Sequence, residues 1–247
     1  MSEDSPEAER ASPPAGDEHR PSWITPALAA GFALALATPA WIAQARGNPA
    51  AAAAVAYAGA VIGAALVVPW CAALATRDAW WERLAWAGAS LLAAVVLAQL
   101  PAGGPAVGHL WRFAVLLAAC GAWWAALVAA GRAWGLAPMT AQALGSLMAL
   151  AQCASPCVAE AVVAAAPEGL ARGLALDLVT GGNPLIVTGR SILGLDVWHL
   201  PWLYARADVA GYGTPQVGWL GAAAGHALAA AAAGGVAWWG ARRATRA

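Results

Sequence analysis

The fifth of six long apolar segments in this sequence carries polar side chains at helical spacing. They are Gln142, Ser146, Cys153, Cys157 and Glu160. Spacings of 4, 7, 4 and 3 residues place them within roughly 60° of arc on an α-helix. In a bilayer such a face turns toward other helices or a water-filled cavity, so it predicts a path for a substrate. The alternative interpretation is that Glu160 lies at headgroup depth and is simply solvated.

His226 is a further candidate for this path, since it is the one histidine inside an apolar segment. It follows Gly221-x-x-x-Gly225, a pattern that predicts close approach of a neighbouring helix. Cys153, Cys157 and His226 are ligand types for a soft metal, but their spacing matches no zinc pattern. We therefore expect no metal and no cofactor, and interpret the cysteines as small buried apolar residues.

An enzymatic function is not expected. Ser146 and His226 on separate segments resemble the serine and histidine of rhomboid-type intramembrane proteases. However, Ser146 follows Leu-Gly and precedes Leu, which departs from the Gly-x-Ser-Gly motif of that family, so the oxyanion geometry has no support. The sequence also contains no phosphate-binding Gly-rich loop with a Walker lysine and no acidic metal cluster.

Composition indicates the environment of these residues. Of 247 residues, 61% are hydrophobic and 11% are charged, which is too little polar surface for a soluble protein of this size. A surface that faces lipid explains the deficit. The formal net charge is zero and basic residues cluster only near the C-terminus, so nucleic acid is not an expected partner.

Six apolar segments are long enough to cross ~30 Å of hydrocarbon as helices. They cover residues 23–45, 49–75, 84–100, 113–130, 139–165 and 217–239. The sequence therefore predicts an all-α fold, a bundle of six transmembrane helices over residues 23–247. Residues 1–22 are rich in acids and proline and are expected to be a disordered tail. Because that tail is net negative, the first segment is interpreted as a retained helix and not a cleaved signal peptide.

Two interruptions modify this picture. Pro156 lies inside the fifth segment and predicts a kink beside Cys153. Residues 167–215, between the fifth and sixth helices, mix apolar stretches with the aromatic residues Trp198, Trp202 and Tyr204. Such a mixture predicts short helices that lie in the interface or dip into the bilayer, with a small soluble domain as the alternative.

Arginine placement predicts the orientation, because cytoplasmic flanks retain positive charge. With the N-terminus inside, eight arginines lie on the cytoplasmic side and five outside. We therefore expect a multi-pass protein of the inner (plasma) membrane with both termini in the cytoplasm.

Six helices, a short charged connection at 76–84 and an interfacial segment before the last helix resemble the membrane subunits of ABC-2-type exporters. The resemblance implies a permease in which this connection contacts a separate cytoplasmic ATPase subunit, and in which residues 167–215 form an outer re-entrant hairpin. The expected partners are the lipid bilayer, that ATPase and a second copy of the chain. The alternative function is a non-catalytic subunit that scaffolds or assembles a larger membrane complex.

Overall fold

The computed structural model describes residues 24–73, 80–102, 104–155, 170–195 and 217–244, with helical positions at 161 and 165. All regular structure in these residues is helical, which confirms the all-α prediction. The acidic tail at 1–22 lies outside the described residues. So do Trp198, Trp202 and Tyr204.

The described residues form eight α-helices. They are α1 (Ile24–Ala45), α2 (Pro49–Ala73), α3 (Trp80–Gln99), α4 (Val107–Ala133), α5 (Pro138–Cys153), α6 (Leu170–Gly181), α7 (Pro184–Val187) and α8 (Trp219–Ala244). A 3-10 turn, Leu100–Ala102, follows α3, and a π-helical turn, Thr188–Ile192, continues α7.

Local sequence sets several of these boundaries. Gly47 follows α1 with φ +79°, a left-handed conformation that glycine adopts without strain. The side-chain oxygen of Asn48 then accepts a hydrogen bond of 3.0 Å from the Ala51 N–H and so caps α2. Gly135, with φ +88°, follows α4 in the same way, and Pro138 occupies the first turn of α5.

Helix α2 lies at the centre of the bundle and packs against α1, α3, α4 and α5. Its contact with α4 includes Tyr57 and Phe113, whose rings meet edge to face with centroids 4.7 Å apart. Both are buried in one apolar core that also holds Trp124. The last helix, α8, packs mainly along α4.

The contacts also fix helix directions. Trp111 meets Trp219 at one end of α4 and α8, and Trp134 meets Trp239 at the other, so these two helices run parallel. Helix α5 is antiparallel to α4, because Gly131 approaches Ala141 near the start of α5, whereas Gly145, later in α5, approaches Val128, earlier in α4. Helix α2 is parallel to α4, since Tyr57 meets Phe113 and Val68 approaches Gly121. The ends of α1 and α3 meet where Trp41 donates to the carbonyl of Leu97, so helices α1 to α5 and α8 alternate in direction. We call the end where α1 begins and α8 finishes the basal end, and the opposite one the apical end.

Among the described residues, three helices are long and apolar enough to cross a membrane: Ala50–Ala73, Val107–Ala133 and Trp219–Arg243. Two shorter apolar stretches, Ala30–Ala45 and Ala85–Gln99, lie beside them. The two tryptophan pairs that join α4 to α8 are separated by about 35 Å along α4, given a rise of 1.5 Å per residue. This spacing suits aromatic belts on either side of a hydrocarbon core about 30 Å thick.

The fifth segment differs from the prediction of one helix over residues 139–165. Helix α5 ends at Cys153, three residues before Pro156, and residues 156–160 lie outside the described residues. The physical reason is that Pro156 has no N–H to donate to the carbonyl of Gln152. That carbonyl accepts a hydrogen bond of 2.8 Å from the side chain of Asn183 instead.

Residues 170–195 are the described part of the segment predicted to lie at the interface. The region from α7 through the π-helical turn packs against α2, α4, α5 and α8. Val187 and Ile192 belong to the same apolar core as Phe113, and Asn183 is 0% exposed. This part of the segment is therefore inserted among the helices.

Candidate functional site

Asn183 joins the end of α5 to the start of α7. Its side-chain nitrogen donates to the carbonyls of Gln152 at 2.8 Å and Cys153 at 2.9 Å, and to Ser155 Oγ at 3.0 Å. Its side-chain oxygen accepts from the N–H groups of Leu185 and Ile186, which makes it the N-cap of α7. One buried amide thus satisfies backbone groups at two helix ends that lack partners within their own helices.

Gln152, in the last turn of α5, has a hydrogen-bond partner for each polar atom of its side chain. Its side-chain oxygen accepts from the indole Nε1 of Trp124 at 2.9 Å. Its side-chain nitrogen carries two hydrogens and has two acceptors, the carbonyl of Gly182 at 2.5 Å and Nε2 of His226 at 2.6 Å. Gln152 therefore ties α4, α5, α8 and the residues before α7 to one another.

The hydrogen bonds of His226 define its tautomer. Nδ1 lies 2.7 Å from the carbonyl oxygen of Ala222, which can only accept, so Nδ1 carries the proton. In the neutral ring Nε2 is then an acceptor, as the N–H of Gln152 requires. Trp124 donates to Gln152, and Gln152 donates to His226. Each polar side-chain atom of these three residues has a hydrogen-bond partner.

A cavity of about 620 Å³ lies beside this network, between the end of α5, α6 and α8. Gln152, Ser155, Asp177 and His226 are its polar side chains. The remaining lining residues are apolar or glycine: Trp123, Leu174, Val179, Gly181, Gly182, Val217, Gly221, Ala222, Gly225 and Ala229. We call this space the polar cavity. Its volume suits a small molecule.

The structure describes three of the five residues that the sequence placed on one face of the fifth segment, and they differ in burial. Cys153 is buried at the end of α5. Gln142 and Ser146 are half-buried, and the side-chain oxygen of Gln142 is shielded without a hydrogen-bond partner among the described residues. At 1.5 Å per residue, Gln142 lies about 15 Å along α5 from Gln152, so it is not part of the polar cavity. Cys157 and Glu160 lie outside the described residues.

Among the described residues, the end of α5 reaches the last helix through one side-chain hydrogen bond. Helix α5 packs chiefly against α2 and α4, with Ala141, Gly145, Ala149 and Cys153 as its buried stripe. The side chain that reaches His226 is Gln152, which sequence reasoning missed. The sequence held a signal for a polar contact near Gln152. Pro156, four residues later, has no N–H, so the carbonyl of Gln152 needs a donor from elsewhere in the fold.

Asn183 was missed as well, although Asn183-Pro184 repeats the Asn48-Pro49 pattern that begins α2. No described residue lies within 4 Å of a Cβ placed on Gly225, and this glycine lines the polar cavity. The prediction that Gly221-x-x-x-Gly225 admits a neighbouring helix stays a prediction. Among the described residues, no group of three or more His, Cys, Asp or Glu side chains is placed to hold a metal.

No family model matches this chain, and no curated protein or solved structure is significantly similar to it, so the function of the site is inferred from its own geometry.

Proposed function

We propose that the chain is the membrane-spanning permease subunit of an ABC-2-type transporter. The observation that carries the proposal is the interruption of the bundle at Cys153, where a buried amide satisfies the freed carbonyls beside the polar cavity. Transporters place substrate sites at discontinuous helices, because these offer polar groups deep in an apolar bundle. Non-helical backbone survives there only where protein or a water-filled space satisfies it.

The depth of the network supports a transport site. His226 lies seven residues beyond Trp219, which corresponds to about 10 Å along α8 from the apical aromatic pair. Trp124, which donates to Gln152, and Asn183, which donates to the carbonyl of Gln152, are both 0% exposed. Polar side chains at such depth are costly and mark functional positions in membrane proteins. A helix bundle that served only as a membrane anchor would avoid this free-energy cost by having apolar side chains at these positions.

Charge supports the proposed orientation, an inner-membrane protein with both termini in the cytoplasm. Arg242 and Arg243 lie at the basal end, where each guanidinium stacks on a tryptophan ring 3.8 Å away. Arg132 is at the same end and donates to the carbonyl of Ala73 at 3.0 Å. Positive charge beside helix ends favours the cytoplasm. The connection between α2 and α3 is at this end too, where a cytoplasmic ATPase subunit would bind.

The proposal is tested by solvent access to the polar cavity. Gly225→Cys, in a chain whose four native cysteines are replaced by alanine or serine, introduces a thiol where nothing lies within 4 Å. In a permease, a membrane-impermeant maleimide should label it from one side of the membrane, and a nucleotide-bound ATPase subunit should change the rate. Ala149→Cys, at a position that is 0% exposed, is the unlabelled control. Failure to label Gly225→Cys from either side would refute the proposal.

A second candidate is the scaffold or assembly subunit, which a different cavity favours. A groove of about 550 Å³ lies between α2, α3 and α4, and its walls are apolar. They include Ala64, Gly88, Ala118, Gly121, Ala122 and Ala125. We call this space the apolar groove. Small residues of this kind allow a helix of another subunit to approach closely.

The two candidates differ in what filling the groove should do. Ala122→Leu places a larger side chain at an exposed position of the groove wall. On the scaffold hypothesis it should dissociate a complex that the unmodified chain forms in native membranes, as read by its migration on native gels. On the permease hypothesis it should leave labelling of Gly225→Cys unchanged.

A further inference from the structure

We propose that the polar cavity binds a hydrophobic organic monocation, with the Asp177 carboxylate as its counter-ion. This inference deepens the proposed function, because such a cation would be the transported substrate. Asp177 lies on α6, is exposed, and lines the cavity together with Gln152, Ser155 and His226. Among the described residues it forms no ion pair.

The described lining of the cavity carries a negative charge. Asp177 is the one acidic side chain among the described residues that line it, and no arginine is among them. His226 adds no positive charge in its neutral tautomer, whose Nε2 accepts from Gln152. A carboxylate beside apolar walls attracts a cation, and a single carboxylate balances a single positive charge.

The walls select an apolar body for that cation. Leu174, Val179, Val217, Ala222 and Ala229 offer only hydrocarbon. Trp123 is half-buried and adds an aromatic ring to the same wall. Aromatic faces attract organic cations, and removing apolar ligand surface from water supplies most of the affinity in pockets of this kind.

The hydrogen-bond network disfavours a ligand rich in hydroxyl or amide groups, such as a sugar or a peptide. Both hydrogens and the oxygen of the Gln152 amide already have protein partners, and so do both ring nitrogens of His226. Ser155 donates to the carbonyl of Val179 at 2.7 Å and accepts from Asn183. A ligand with many hydroxyl or amide groups would leave them unpaired in this cavity at a free-energy cost. A quaternary cation has no such groups to satisfy.

The test uses two ions of matched size and opposite charge. The purified full chain, in lipid nanodiscs without any ATPase, is titrated with tetraphenylphosphonium and with tetraphenylborate. The phosphonium should bind saturably and the borate at least about tenfold more weakly. Asp177→Asn should weaken phosphonium binding about tenfold, whereas Asp177→Glu should stay within about twofold. Glu82→Gln removes an acid from the first turn of α3, at the basal end, and should leave binding unchanged.

Three results would overturn the inference: no saturable phosphonium binding, equal binding of the two ions, or an unchanged affinity in Asp177→Asn. The outcome is separable from that for the permease. If Gly225→Cys is labelled but phosphonium does not bind, the permease proposal stands and the cation class is wrong. If phosphonium binds through Asp177 but Gly225→Cys is not labelled from either side, the site is a binding site without a transport path.

Discussion

Helix α4 lies between two cavities that have similar volumes but are formed in different ways. The apolar groove, about 550 Å³, is formed by α2, α3 and α4, and its walls are largely alanine and glycine. The polar cavity, about 620 Å³, lies on the side of α5, α6 and α8. Small side chains create the first by leaving space between continuous helices. The second exists because a helix ends and side-chain hydrogen bonds replace its missing backbone bonds. Two cavities of similar volume therefore depend on different interactions.

The comparison predicts which substitutions each cavity tolerates. Apolar packing is spread over many contacts, so one changed methyl group at the groove has a limited effect. The polar network concentrates its bonds in Gln152, Asn183 and His226, and removal of one member leaves the others buried without partners. The largest losses of stability should therefore come from the polar side.

The largest effect should follow Asn183→Leu. This change keeps the number of side-chain heavy atoms but removes the cap of α7 and leaves the carbonyls of Gln152 and Cys153 without a donor. We expect a loss of about 4 kcal/mol, from one lost cap and two unpaired buried carbonyls. Denaturant unfolding in detergent measures it. The matched control is Asn48→Leu, also an Asn-Pro cap but exposed, which should cost about 1 kcal/mol. Equal costs would show that burial of Asn183 contributes nothing.

Gln152→Leu should have the next largest effect, about 3 kcal/mol, because the Trp124 indole, the Gly182 carbonyl and His226 each lose a partner. Denaturant unfolding should show the loss, and Trp124 fluorescence should shift as the indole loses its acceptor. The control is Gln142→Leu on the same helix, whose side-chain oxygen has no partner among the described residues. That change should be neutral or stabilising; a cost equal to that of Gln152→Leu would contradict the assignment of the network.

Gly145→Ala tests the packing that holds α5 against its neighbours. A Cβ at this position would lie 2.5 Å from Val128 Cγ2 and 3.3 Å from Pro69 Cβ, so the helices must separate. We expect a cost of about 2 kcal/mol from overpacking. Val128→Ala in the same chain should recover part of it. Gly88→Ala, in the apolar groove where nothing lies within 4 Å, should cost nothing. A neutral Gly145→Ala would mean that α5 does not pack this closely.

The smallest effects on stability should come from filling either cavity. Gly225→Val and Ala122→Leu add side-chain atoms at positions that line open space, and each should change stability by less than about 1 kcal/mol. They should differ in function. Gly225→Val should weaken binding of tetraphenylphosphonium to the polar cavity, whereas Ala122→Leu should leave it unchanged. Equal effects on binding would show that the two cavities do not have separate roles.

Several features were accessible from the sequence because they depend on local chemistry. Apolar segments at 49–75 and 217–239 predicted α2 and α8 to within a few residues, since composition and length decide which helices can cross a bilayer. The all-helical architecture followed from the same runs. Pro156 was expected to kink the fifth segment; the structure ends α5 at Cys153, and Pro156 itself lies outside the described residues.

The site depended on partners that are distant in the sequence. Helical periodicity grouped Gln142, Ser146 and Cys153 correctly by face, but it could not show that Gln152 meets His226, 74 residues away. Nor could composition show that residues 183–192 lie among the helices, because their burial depends on acceptors that α5 exposes only where it ends. Apolar segments were enough to predict an all-helical protein with helices able to cross a bilayer, because composition and length decide both properties. Which polar groups meet depends on how the helices pack, since a hydrogen bond requires atoms within about 3 Å of each other and helical periodicity specifies only direction around one axis.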